Sequence, residues 1–118
     1  MTKKNQYWIY ILECENGCYY TGYSKDLERR YKQHIAGTSG SKYTRSFKPK
    51  RIIQCWKFHD SIGTALKIEQ FIKRQSRKFK DKIIEQPIEL EMIILKRLNL
   101  ELEIIPVDPK SVEDESLK

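Results

Sequence analysis

Cysteine is scarce in this 118-residue chain, and its three copies, Cys14, Cys18 and Cys55, are an odd number that no closed disulfide framework uses up. The two close ones flank a turn but lack the paired spacing and downstream histidine that a zinc site prefers, so ordinary reduced cysteines are expected. No apolar run approaches the roughly 18 residues that a membrane span requires. The first residues, Met1 to Gln6, are polar and run into Tyr7 to Leu12, which lacks the length and small-residue cleavage site of a secretory signal. Internal repeats and low-complexity tracts are missing as well. These absences argue against a membrane span and a disulfide-stapled scaffold, and the expected setting is the cytoplasm, with no membrane partner.

What the chain does have is a globular balance, 39% hydrophobic and 33% charged, at a length suited to one modest core. Its net charge of +7 is unevenly spread. Residues 101 to 118 hold six acids and two bases, a balance of −4, which leaves residues 1 to 100 at +11. A surface this basic attracts polyanions by neutralising phosphates and releasing counterions, and nucleic acid is the expected partner. The same asymmetry raises the expectation that the acidic end folds back over the basic surface as a competitor.

Residues 7 to 14 and 18 to 23 are rich in aromatic and β-branched types and read as strands. The loop between them, Glu15-Asn16-Gly17, has the length of a type I turn closed by a left-handed residue, with Gly17 in that place. This register sets Cys14 opposite Cys18, Leu12 opposite Tyr20 and Tyr10 opposite Gly22. Tyr10 and Tyr20 then share one face as diagonal neighbours, with room beside the bare Gly22.

Cap candidates at Ser24 to Asp26 and the recurrence of Leu27, Tyr31 and Ile35 predict an amphipathic helix over residues 25 to 36, ended by Gly37. Thr38 to Lys50 reads as a loop with room for one short helical turn, residues 51 to 58 as a third strand, and Ser61 as the cap of a helix over about 62 to 75. Ser76 can cap a further helix to about Glu85, before Pro87. Ile88 to Leu100 is helix-like, and Pro106, Pro109 and the charged end suggest an extended or disordered tail. The expected division is therefore a domain over residues 1 to 86, followed by a helix-like extension and acidic tail over 87 to 118.

Glu69 falls within the apolar stripe formed by Ile62, Ala65, Leu66 and Ile72 on the helix after the third strand. A carboxylate there must be ion-paired, protonated or holding a cation. Arg30 and His34, four residues apart, share a face beside the stripe of the first helix. Each of these residues alone has an ordinary explanation, as strand filler, surface group or structural ion pair. Together, two phenols, a guanidinium, an imidazole and a carboxylate match phosphodiester hydrolysis: a nucleophile must lose a proton, the phosphoryl charge must be neutralised and the leaving oxygen stabilised. Lys42, Arg45 and Lys48, interleaved with Tyr43 and Phe47, and the later run Lys73, Arg74, Arg77 and Lys78 offer phosphate contacts and base-stacking rings.

In this ordered set the chain resembles the GIY-YIG nucleases, most closely their small stand-alone bacterial members. The two signature tripeptides stand as Trp8-Ile9-Tyr10 and Tyr20-Thr21-Gly22, with Trp8 in place of glycine and Thr21 in place of isoleucine. Arg30 follows eight places after Gly22, then His34, Lys42-Tyr43-Thr44-Arg45 and Ala65 to Glu69 with Ile72-Lys73-Arg74. The resemblance spans about residues 6 to 82. It implies an α+β fold with a three-stranded antiparallel sheet flanked by helices, and a divalent-metal-dependent endonuclease acting on DNA. Glu69 would hold Mg²⁺ or Mn²⁺, Arg30 would stabilise the phosphoryl charge, Tyr10 or Tyr20 would act as or orient the general base, and His34 would assist proton traffic. The competing expectations are a non-catalytic nucleic-acid-binding module and a protein adaptor using residues 88 to 100.

Overall fold

The computed structural model of the protein describes residues 3–38 and 42–116. Four strands form one antiparallel sheet in the order β2-β1-β3-β4: β1 (Asn5–Cys14), β2 (Tyr19–Ser24), β3 (Pro49–Asp60) and β4 (Ile105–Val107). Six helices accompany them: α1 (Leu27–Ala36), α2 (Lys42–Ser46), α3 (Ile62–Lys73), α4 (Arg77–Glu85), α5 (Glu89–Leu98) and α6 (Pro109–Ser116). The α+β class is as expected, with a fourth strand added to the expected three.

The β1–β2 hairpin closes as its loop length requires. Gly17 takes φ +83°, its N–H bonds Cys14 O at 2.8 Å, and Cys14 N–H bonds Cys18 O at 2.9 Å. Leu12 therefore pairs with Tyr20, and Tyr10 with Gly22. β1 is central, so alternate side chains enter two different cores. Tyr7, Ile9 and Ile11 join Trp56, Phe58 and the apolar faces of α3, α4 and α5, whereas Tyr10 and Leu12 join Leu27, Tyr31, Ile52 and Cys55 beneath α1.

Helix ends follow the capping chemistry. Asp26 accepts from Arg29 N, Ser61 from Thr64 N and Ser76 from Phe79 N, while Gly37 closes α1 at φ +74°. Two helix faces differ from the sequence pattern. In α1 the buried positions are Leu27, Tyr31 and His34, with Ile35 44% exposed, because the i, i+4, i+7 row lies closer to one line than i, i+4, i+8. In α3 the buried face is Ala65, Ile68, Glu69, Phe71 and Ile72, and Ile62 and Leu66 are partly exposed. Glu69 thus lies at the border of the apolar face. The short turn expected between Thr38 and Lys50 is α2; residues 39 to 41 of that loop lie outside the described residues.

The end of the chain corrects the expectation of a loose tail. Leu90 and Ile94 of α5 are fully buried against the α3 and α4 side, and Trp56 Nε1 donates to Pro87 O at 2.8 Å. β4 pairs with β3, Val112 of α6 is buried in the core beneath α1, and Ile52 N–H donates to the Glu113 carboxylate. Charge and proline hid this segment in the sequence. Its docking rests on a three-residue strand, the buried Ile104 and Val112, and the Glu113 carboxylate.

Candidate active site

Strand β2 is one edge of the sheet, and a cleft of about 500 Å³ opens over that edge, lined by residues of β1, β2, α1 and α3. Tyr10, Tyr20, Arg30 and Glu69 all line it, together with Tyr7, Gly22, Tyr23, Lys25, Arg29 and Ile62. Gly22 sits directly across the ladder from Tyr10. A Cβ on Gly22 would run into the Tyr10 hydroxyl, so the glycine is what allows the Tyr10 ring to reach across the edge strand.

Tyr10 is 2% exposed, and its hydroxyl lies 2.9 Å from His34 Nε2. The other ring nitrogen, Nδ1, lies 2.9 Å from Thr44 Oγ1. His34 and Thr44 are each 1% exposed, so hydroxyl, imidazole and hydroxyl form a closed buried row leading from α2 to the cleft. Burial, reinforced by the Arg30 guanidinium, pulls the His34 pKa from its ordinary 6.5 down to about 4, so the ring is neutral at pH 7. Burial also drives the Tyr10 phenol well above its ordinary range, with the neighbouring Tyr20 adding to the effect and Arg30 opposing it. Tyr10 is therefore a neutral phenol at pH 7. Arg30 lines the same cleft as Tyr10.

Tyr20 is half-buried beside the same histidine, 5.1 Å between ring centroids, and it begins a series of rings. Tyr43 stacks on it at 6.2 Å and 22°, and Phe47 follows at 5.2 Å from Tyr43. Asn16 of the hairpin donates to the Tyr43 hydroxyl at 3.3 Å, which ties α2 to the β1–β2 loop.

Glu69 is 8% exposed, and Lys73, one turn further along α3, donates to its Oε1 at 3.0 Å while lying over the Tyr20 ring. Both readings of this carboxylate therefore meet in one place: it is ion-paired, and it lines the cleft. No group of three or more His, Cys, Asp or Glu side chains among the described residues forms a ready metal cage. One carboxylate suits a cation that keeps most of its waters and takes further oxygens from a bound phosphate, the usual habit of Mg²⁺.

The expected nucleic-acid contacts are dispersed. Lys42, Arg45 and Lys48 are exposed on and after α2, beside the Tyr43–Phe47 rings. Lys73 is paired with the cleft-lining Glu69. Arg77 is held with its guanidinium 3.4 Å from the Tyr19 ring centroid, bonded to Gly17 O and paired with Asp81. Arg74 and Lys78 lie along other grooves, beside Arg97 and Lys82 respectively. The cations that line the cleft with Arg30 are Lys25 and Arg29, which sequence reasoning passed over. The Asp26 cap begins α1 one turn before Arg30, and that placement was the available signal for both. Thr44 was likewise visible within the Lys42 to Arg45 motif, but without a role.

An open cleft with cations along its wall, the carboxylates of Glu69 and the α1 cap Asp26, and a buried hydroxyl–imidazole pair is equipment for work on phosphate esters. Residues 6–82 match the GIY-YIG catalytic domain, and the chain belongs to this family of nucleases. Its relatives include a UPF0213 protein of Halalkalibacterium halodurans, 41% identical over 78 residues, which are 66% of this chain and 81% of that protein. Another, from Cupriavidus pinatubonensis, is 46% identical over 76 residues, 64% and 82% of the two chains. The solution NMR structure of the UPF0213 protein from Bacillus halodurans is similar at 40% identity and a TM-score of 0.44, covering 69% of this chain and 84% of that one. The matched family span ends at residue 82, so α5, β4 and α6 lie beyond it.

Proposed function

We propose that this protein is a divalent-metal-dependent endonuclease that hydrolyses phosphodiester bonds of DNA, selecting substrates by structure more than by sequence, in repair, recombination or turnover of DNA in the cytoplasm. The observation that carries the reading is the convergence of Tyr10, Tyr20, Arg30 and Glu69 on one cleft, with His34 bonded directly behind Tyr10. Hydrolysis needs a proton acceptor next to the nucleophile, and the Tyr10 hydroxyl, backed by a neutral imidazole, is the best placed of the two phenols. Tyr20, more open and stacked on Tyr43, serves to orient. Arg30 supplies positive charge where the phosphoryl oxygens gain negative charge. Glu69 would hold Mg²⁺ or Mn²⁺, which when bound polarises a phosphoryl oxygen as a Lewis acid. The three free cysteines suit a reducing compartment, and no helix among the described residues is long and apolar enough to cross a membrane.

Phosphate approach is assigned to Lys25 and Arg29 at the cleft and to Lys42, Arg45, Lys48, Lys73, Arg74, Arg77 and Lys78 around it. Tyr43 and Phe47 offer ring faces to unpaired bases. A second reading, a nucleic-acid-binding module without turnover, is favoured by one contact: the Lys73 ammonium occupies the carboxylate that a cation would need. The two readings separate when end-labelled single-stranded, duplex, flapped and branched DNA are incubated with Mg²⁺, Mn²⁺ or EDTA, with the Glu69→Ala protein alongside. Metal-dependent cutting that vanishes in the variant is the expected result; binding without cutting under every condition would leave the module.

A further inference from the structure

Neutral imidazole carries one N–H and one bare nitrogen, so the buried row from Thr44 to Tyr10 has only two self-consistent proton arrangements. In one, Thr44 O–H donates to Nδ1, Nε2–H donates to the Tyr10 oxygen, and the phenol proton is turned elsewhere. In the other, Nδ1–H donates to Thr44 Oγ1, and Tyr10 O–H donates to Nε2. Both contacts are 2.9 Å, and all three side chains are at most 2% exposed, so solvent does not arbitrate between the arrangements.

Chemistry does. A phenol is a much stronger acid than an aliphatic alcohol, and its oxygen, with lone-pair density drawn into the ring, is the weaker acceptor. The better donor therefore faces the bare nitrogen, and the better acceptor faces the N–H. The same preference sends the Tyr10 proton inward, towards α1, and leaves the Tyr10 oxygen lone pairs to the side on which Gly22 has no side chain and the cleft opens.

We infer that Thr44 is a positioning residue: by accepting from His34 Nδ1 it holds the ring in the Nδ1–H tautomer, which turns Tyr10 into a hydrogen-bond acceptor towards the cleft. The inference deepens the nuclease reading and, for its bearing on cleavage, rests on it. Its chemical content is separate, because a tautomer is a property of the protein whether or not DNA is cut. In the nuclease, the oxygen so presented accepts a proton from the attacking water as its own proton passes to Nε2, and the charge moves one group back from the phosphate. The role also explains why a five-residue helix is tied to the hairpin by Asn16 and to α1 by a buried threonine.

The test is the ring ¹⁵N spectrum of His34 at pH 7 in uniformly labelled full-length protein, assigned with His59→Gln, in the natural protein, Thr44→Ser and Thr44→Val. The expected result is a dominant Nδ1–H form in the natural protein and in Thr44→Ser. In Thr44→Val, which leaves Nδ1 without its acceptor, at least a tenfold shift in the tautomer ratio towards Nε2–H is expected. A dominant Nε2–H form in the natural protein would overturn the assignment without reference to Thr44→Val or its folding. So would an unchanged ratio in a folded Thr44→Val. If the tautomer is as stated and no DNA is ever cut, the nuclease reading fails and the role of Thr44 in setting the ring stands.

Discussion

Gly22 and Tyr10 illustrate how one missing side chain sets the chemistry at the residue scale. Since a Cβ at Gly22 would meet the Tyr10 hydroxyl, Gly22→Ala should displace that ring and break its bond to His34, and we expect DNA cleavage to fall by about 100-fold, the order seen when a proton-transfer group is lost. Single-turnover assays alongside circular dichroism separate this from unfolding; a folded variant cutting at the natural rate contradicts the arrangement. His34 gives a pH prediction. Its folded pKa of about 4 lies below the ordinary 6.5, so between these values the unfolded chain binds more protons, and stability rises with pH across that window. As pH falls from 6.5 towards 4 the protein should lose about 3 kcal/mol through this group, read by urea unfolding at a series of pH values. In His34→Gln that component should be absent. Lys73→Met should free Glu69 and lower the Mn²⁺ concentration needed for half-maximal binding, measured by calorimetry; weaker Mn²⁺ binding would show that the ammonium is not a competitor. The tyrosine pair and its register were legible in the sequence because a three-residue loop allows few alternatives. The deep burial of His34 was not, since its choice over Ile35 depends on a small angular difference and on a polar partner, Thr44, that the chain supplies ten residues later.

Among the elements, strands and caps follow from local chemistry, while the far end of the chain is decided by contacts distant in sequence. β4 contains Pro106, which cannot donate to a ladder, and it stands at the sheet edge, where proline is tolerated and discourages pairing with another chain. Only the exposed side of β3 makes this three-residue strand possible, and nothing within residues 105 to 107 announces it. α6 likewise docks by Val112, which is 4% exposed, and by the Glu113 carboxylate on Ile52 N–H. Val112→Ala should therefore cost about 1–3 kcal/mol in urea unfolding, a value a loose tail would not give. Cleavage should change little, because among the described residues none that lines the cleft comes from α6. On α3 the apolar pattern located the helix but set Glu69 mid-stripe; its place at the border, beside the cleft-lining Ile62, depends on where β2 ends the sheet.

Across the whole molecule, the sheet order sets the cleft at the β2 edge and the added strand β4 at the other edge. The cleft lies over the β2 edge, and the described part of the acidic segment packs at the β3–β4 side and against α1. Composition was enough to point to a polyanion partner, and the ordered motifs to a nuclease family; neither carried the positions of Lys25 and Arg29 on the cleft wall. The central claim is that Arg30 and Glu69, from helices on different sides of the sheet edge, serve one reaction centre. Single-turnover cleavage of the preferred DNA at saturating Mg²⁺ by Arg30→Ala, Glu69→Ala and the double variant tests it directly. Groups that act as a unit are not additive, so each single change should cost about 100-fold or more and the double variant should be little slower than the worse single one. Natural rates in either folded single variant, or losses that multiply in full, would contradict a shared centre.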